Sequence, residues 1–268
     1  MRPGLATLAA AAILAAPARA QEPKIADNSF LMEEAYNQEP GVVQHISNLA
    51  ALGPSPRSLA YTFTQEWPLG GMTHQLSYTV PVLFPSGSST AFGDMLINYR
   101  YQVASRERFE MAPRVSVLLP TGSWQRQNGN GAVGLQVNVP ASVRVVPQVT
   151  MHFNAGTTLL PGARGPSGSK RDLVITQVGA SAIGPVLLPV NLMFECLALW
   201  SESVDSSGGV VHSRDVILNP GFRFALNFGH LQVVPGFGVP IHLGEGGKPH
   251  DLFIYLSFEH PFKHIDER

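Results

Sequence analysis

Cysteine is all but missing from this chain: Cys196 stands alone among 268 residues. A lone thiol excludes an internal disulfide framework and any cysteine-ligated zinc cluster. Charge is scarce as well. Asp, Glu, Lys and Arg make up 14% of the sequence, against roughly 25% in an ordinary soluble domain, while 44% is apolar. A water-facing surface carries about 25 to 35% charged residues, so much of this surface faces something other than water. A basic excess is absent too, since 18 Lys and Arg stand against 19 Asp and Glu, a formal net charge of -1. No basic stripe is left to neutralise phosphates, which excludes nucleic acid as a partner. Long helices have little room, because 26 glycines and 22 prolines punctuate the chain.

An apolar run of the 18 or so residues that a membrane helix needs is also lacking. The run from Leu5 to Ala16 follows Met1-Arg2-Pro3 and precedes Ala18-Arg19-Ala20. A basic start, a short apolar centre and a small-x-small site predict a secretory signal peptide over 1–20, cleaved after Ala20. Behind it the reading places an N-terminal periplasmic or plug segment at 21–40, a β-barrel at 41–262 and a tail at 263–268.

What the mature chain does have is period-2 alternation, the mark of a strand with two unlike faces. In 143–154, Val143, Val145, Val149, Met151 and Phe153 oppose Arg144, Gln148, Thr150, His152 and Asn154. In 94–103, Met95, Ile97, Tyr99, Tyr101 and Val103 oppose Asp94, Asn98, Arg100 and Gln102. The pattern predicts twelve strands, near 41–50, 58–67, 73–84, 92–103, 109–119, 132–140, 143–155, 172–183, 186–200, 214–227, 231–243 and 251–262. Most have the length of about 9 to 11 residues that crosses a bilayer at a tilt.

Alternate joints are short, at 68–72, 104–108, 141–142, 184–185 and 229–230, and those between them are longer, at 120–131, 156–171 and 201–213. Short periplasmic turns, longer outer loops and an even strand number predict an all-β, antiparallel, up-and-down transmembrane barrel of about twelve strands. Closure without edges is what lets a β protein cross hydrocarbon. The apolar faces then meet outer-membrane lipid, and the polar faces line a lumen. Trp67, Phe84, Tyr99, Tyr101, Phe153, Trp200 and Phe262 suit the interfacial aromatic girdles. A soluble exported barrel or sandwich, greasy face inward, is the competing reading.

The predicted lumen-lining residues are Glu66, Asp94, Arg100, Arg114, Arg144, Glu195 and Arg223, with Asp215 and Glu259 on the same face. Their near balance of sign favours a paired internal network over a strongly ion-selective pore. Residues 21–40 form either a plug or a periplasmic leader, and Asn28 or Ser29 is placed to cap a helix beginning at Phe30 and ending by Pro40. No catalytic, cofactor or metal residues are expected. Gly-x-Ser-x-Gly, His-Glu-x-x-His and phosphate-loop motifs are missing, and His260 with His264 is the one tight histidine pair.

Three resemblances follow from particular residues. The stretch from Leu252 to Phe262 resembles the C-terminal strand of bacterial outer-membrane proteins, which implies recognition by the barrel-assembly machinery, although 263–268 follow it. His45-Ile46-Ser47-Asn48 resembles the His-x-Ser-Asn stretch of outer-membrane phospholipases, but the expected Gly-x-Ser-Asp continuation is replaced by Leu49-Ala50-Ala51-Leu52. Residues 25–39, Gln44-His45, Phe63-Thr64-Gln65-Glu66-Trp67 and His74-Gln75-Leu76-Ser77-Tyr78 resemble the outer-membrane transporter family named for the meta-pathway of phenol degradation. That likeness implies a Gram-negative outer-membrane channel or transporter for small, aromatic or hydrophobic solutes, and no enzyme. The alternatives are a structural or adhesion barrel of the envelope and, third, a phospholipase.

Overall fold

The computed structural model describes residues 29–53, 57–187, 189–244 and 251–262. The predicted signal peptide, residues 21–28 and the tail 263–268 lie outside the described residues. Twelve strands follow one another in an antiparallel meander. They are β1 (Val42–Leu52), β2 (Ser58–Pro68), β3 (His74–Phe84), β4 in three pieces (Ala91–Phe92, Met95–Tyr101, Ala104–Arg106) and β5 in two (Phe109–Met111, Arg114–Leu119). Next come β6 (Gly134–Val146), β7 (Val149–Arg164), β8 (Lys170–Leu187) and β9 (Val190–Val204). The last are β10 (Val210–Phe224, Leu226–Phe228), β11 (Leu231–Gly238, Ile241–His242) and β12 (Leu252–Pro261). β12 pairs with β1 from Pro261 against Val42 to Leu252 against Ala51, so the sheet closes and leaves no edge.

Alternation sorts the side chains. On β4, Asn98 and Arg100 are buried while Ile97, Tyr99 and Tyr101 are exposed. On β5, Ser116 and Leu118 are buried while Val115 and Val117 are exposed, and on β7 His152 and Asn154 are buried beside exposed Phe153. The outside is a continuous apolar belt far larger than the few hundred Å² a water-soluble monomer tolerates, which suits acyl chains. Phe84, Trp200 and Phe262 are exposed on it too, and Trp67 is half-buried because it leans on Tyr78, ring centroids 5.5 Å apart.

Several joints differ from the sequence expectation, among them 104–108, where Ala104–Arg106 is strand. Residues 141–142 are not a turn: Ala141 pairs with Phe153 and Ser142 with His152 inside the β6–β7 ladder, and the chain reverses at Pro147-Gln148. The in–out phase runs unbroken across 141–142, so periodicity carries no information about where that hairpin ends, whereas Pro147 cannot donate to a ladder and sits well in the reversal. Likewise β8 continues past Gly184-Pro185 to Leu187. The stretches 156–171 and 201–213, expected as loops, are mostly strand, with reversals at 165–169 and 205–209. Gly162 supplies the positive φ of 69° where β7 bulges beside Leu160 and Ala163.

The β10–β11 seam is interrupted by prolines, and the outer ends there are laced by side chains. His242 on β11 meets Asp215 of β10 at 2.5 Å and Asp251 at 3.1 Å. Across the barrel, residues 120–133 are folded back by Asp94. Its two carboxylate oxygens accept the Gly122 amide at 2.9 Å and the Asn130 amide at 2.7 Å. Gly122 and Gly129 approach so closely that a Cβ on Gly129 would lie 2.5 Å from Gly122 backbone.

Candidate functional site in the barrel lumen

The strand register creates an electrostatic problem in the lumen. Arg100 on β4 pairs directly with Arg114 on β5, and like charges in facing positions repel. Glu66 on β2 lies in the same cluster, but among the described residues no strand carboxylate forms a direct ion pair with either guanidinium. Residues 29–40 run through the lumen, and Glu33 places its carboxylate between the two guanidiniums, 2.8 Å from Arg100 Nη2 and 2.6 Å from Arg114 Nη2. Asn138, opposite Arg114 on β6, donates to the same carboxylate at 2.8 Å. Burial alone would raise the Glu33 carboxyl; Arg114 and Arg100 override that and hold it at about 2, below its ordinary 4.5.

The neighbouring residue repeats the device. Glu34, itself buried, lies 2.9 Å from Arg223 Nη1 on β10 and 3.7 Å from His152 Nε2 on β7. His152 Nδ1 is 2.7 Å from Ser142 Oγ, which accepts the Ala35 amide at 2.9 Å. Glu195 on β9 accepts the Leu31 and Met32 amides at 2.9 and 3.1 Å with one oxygen and Asn219 Nδ2 at 2.6 Å with the other. The Glu33 amide donates to Asn154 Oδ1 at 3.0 Å, and the Gln38 amide to Gln75 Oε1 at 2.8 Å. Asn37 Nδ2 donates to the Met72 carbonyl at 2.9 Å, in the turn after β2.

This explains why residues 29–40 contain no helix. A helix satisfies its own amides, whereas here the amides of 31, 32, 33, 35 and 38 are each taken by a different or shared wall side chain. The predicted cap at Asn28 lies outside the described residues, and Ser29 Oγ instead donates to Glu34.

Apolar side chains key the segment into glycine notches. The Phe30 ring stacks near Phe253 and Tyr255, centroids 5.4 and 5.3 Å away, and occupies the space above Gly221, Gly236 and Gly238. A Cβ on Gly236 would stand 2.5 Å from that ring, and one on Gly179 would stand 2.6 Å from Met32 Sδ. These glycines are therefore wall positions left empty for the segment.

The predicted lining residues thus divide. Arg100, Arg114 and Glu66 converge around Glu33 and Gln75, Glu66 accepting Gln75 Nε2 at 2.6 Å. Glu195 and Arg223 hold residues 31–34. Asp94 binds the 120–133 loop, and Arg144 is half-buried near the β6–β7 turn with no ion pair among the described residues. The expected network is paired, but with the N-terminal segment where strand-to-strand pairing was expected. Asn138, His152 and Asn154 were visible only as polar alternates on β6 and β7, and Ser142 was expected in a turn. His45 and Ser47 form no dyad: on the outer face, His45 Nε2 lies 3.3 Å from His260 Nε2 and Ser47 Oγ 3.1 Å from Tyr61 Oη. Among the described residues no group of three or more His, Cys, Asp and Glu is arranged to hold a metal.

No protein-family model matches the chain, and no curated protein matches its sequence. Solved structures do match its shape. An outer-membrane channel from Pseudomonas putida F1 aligns with a TM-score of 0.64 at 10% identity, over 85% of this chain and 98% of that one. The NanC porin aligns at 0.54 and 7% identity, over 81% and 98%. The KdgM porin, solved in complex with disordered oligogalacturonate, aligns at 0.51 and 9% identity, over 83% and 99%. At such identities the likeness establishes the fold and no more: this chain is a closed antiparallel β-barrel similar in shape to these channels.

Proposed function

We propose that this protein is a Gram-negative outer-membrane channel for small molecules, aromatic and other apolar solutes included, gated by its own residues 29–40. The observation that carries the reading is the seating of Glu33 between Arg100 and Arg114. A wall built only to be filled has no need of two facing arginines, whereas a wall that receives and releases a terminal segment needs charges the segment can match. Residues 29–40 precede β1 and take part in no strand pairing, so the plug can leave without breaking one. The sequence resemblance to the transporter family named for phenol degradation supports the solute class, and the porin-like fold supports a channel. On the same reading, residues 1–20 direct export, and the terminal strand β12 engages the barrel-assembly machinery.

The test is conductance in planar bilayers. The mature chain should show rare, brief openings, and a variant lacking residues 29–39 should show large, steady ones. A plugless barrel that folds, with heat-modifiable gel migration, yet stays electrically silent would overturn the channel reading and leave a structural envelope role. In the open state Arg144→Ala should lower anion preference, since that guanidinium makes no ion pair with Glu33 or Glu34 among the described residues.

A further inference from the structure

The seam where the barrel closes carries a pair of imidazoles that the lumen does not use. His45 on β1 and His260 on β12 both lie on the outer face, and the register pairs His45 with Phe258 and Val43 with His260. The two rings therefore stand on a cross-strand diagonal, centroids 5.4 Å apart, with their Nε2 atoms 3.3 Å from each other. Both are half-buried, near the end of the barrel where β1 begins and β12 stops. His45 is held by stacking on Phe258, centroids 4.6 Å apart, and on Phe63 of β2, 6.1 Å away. His260 is held through its other nitrogen, Nδ1, which lies 3.0 Å from the Pro261 carbonyl. A carbonyl only accepts, so Nδ1 carries the hydrogen, and the neutral ring keeps its lone pair on Nε2, the atom nearest His45.

We propose that His45 and His260 form a binding site for one divalent transition-metal cation of the zinc type, which clips the first strand to the last. Two nitrogen ligands at roughly 2.0 to 2.1 Å from a tetrahedral ion stand about 3.3 Å apart. The two Nε2 atoms already have that separation. A metal-bound histidine donates its second ring nitrogen to a carbonyl or carboxylate, which fixes tautomer and ring orientation, and His260 does so through Nδ1. Without the ion, His45 Nε2 donates its hydrogen to His260 Nε2. With the ion, that hydrogen moves to His45 Nδ1, both Nε2 lone pairs go to the metal, and water completes its shell. Imidazole donors suit zinc, copper and nickel, whereas calcium and magnesium require oxygen ligands. The residues paired directly with the two histidines, Val43, Phe258 and Gln65, bring no carboxylate. The clip joins positions 215 residues apart, and closing so long a loop restricts the unfolded chain far more than the barrel. The site lies outside the lumen, so it stands whether or not the barrel conducts.

Calorimetric titration of zinc chloride into the untagged mature chain in phosphatidylcholine nanodiscs tests this, with empty discs as the reference. One equivalent should bind, and His45→Gln and His260→Gln should each weaken that binding at least tenfold. His212→Gln and His242→Gln should leave it unchanged, and magnesium chloride should give no binding. At a hundredfold excess over its Kd, zinc should shift the urea-titrated folding equilibrium about 100-fold toward the barrel, and this shift should vanish in His45→Gln. Heat-modifiable migration identifies a variant that fails to fold, in which case His45→Phe, which keeps the stacking, or His260→Asn replaces it. Zinc binding that survives both substitutions, loss of binding in His242→Gln, equal affinity for magnesium, or zinc binding without a shift of the folding equilibrium would overturn the proposal.

Discussion

Replacing Glu33 by Gln keeps the size of the side chain and removes the charge that lies between Arg100 and Arg114. The guanidiniums are then left facing each other across the β4–β5 pairing with no carboxylate between them. Its size follows from the carboxyl itself, held at about 2 against an ordinary 4.5. At about 1.4 kcal/mol per tenfold change in acidity, that depression corresponds to about 3 kcal/mol of docking free energy. The same order, roughly 3 to 5 kcal/mol, is lost when one partner of a buried ion pair is removed. The plug equilibrium should therefore shift on the order of 100-fold toward the open state. Because the docked carboxyl lies below its ordinary value, its support for docking is complete above about pH 4.5 and fades as pH falls toward about 2. Open probability in bilayers should thus rise for the native chain on acidification through that window, while Glu33→Gln should be open at neutral pH and lack this acid step. Equal open probabilities for the two proteins at pH 7, with identical acid responses, would refute the reasoning.

Other consequences follow from single contacts. Phe30→Ala should weaken docking by about 3 kcal/mol, the cost of removing a buried aromatic side chain, and speed proteolysis of the N-terminal segment. Gly236→Val should do the same from the wall side, since its added atoms would enter the Phe30 ring; unchanged protease resistance would exclude the notch. Asp94→Ala should free residues 120–133 and accelerate trypsin cleavage after Arg126 without altering barrel stability to heat. Val117→Arg, on the outer face, should cost about 2 to 4 kcal/mol in a urea titration of folding into lipid if that position lies near the bilayer midplane, and a cost near zero would place Val117 away from hydrocarbon.

The barrel was legible because its information is local. Alternation such as Ile97-Asn98-Tyr99-Arg100-Tyr101 declares strand and face within five residues, and twelve such stretches with alternating joint lengths indicate closure. Hairpin ends were not legible where the phase continues, as across Ala141-Ser142. The lumen residues were legible as a set of polar alternates, yet their partners were hidden, because Glu33 meets Arg100 and Arg114 across 67 and 81 residues of chain. Residues 29–40 have no period of their own; their conformation is dictated by acceptors on several strands. The apolar cluster of Leu118, Leu160 and Leu173 inside the lumen was missed for a related reason. Ile175 and Leu173 on β8 face inward, against the rule that the greasy face of a membrane barrel points to lipid, which left 172–183 ambiguous.

A cysteine pair joins the two halves of the account. Ala35 donates its amide to Ser142 Oγ at 2.9 Å, so Ala35→Cys with Ser142→Cys, in a Cys196→Ser background, places two thiols at the plug–wall contact. Oxidation should form the crosslink within the folded barrel and abolish openings, and reduction should restore them. Failure to crosslink in a folded barrel, or a crosslinked chain that conducts like the reduced one, would contradict a lumen closed by residues 29–40.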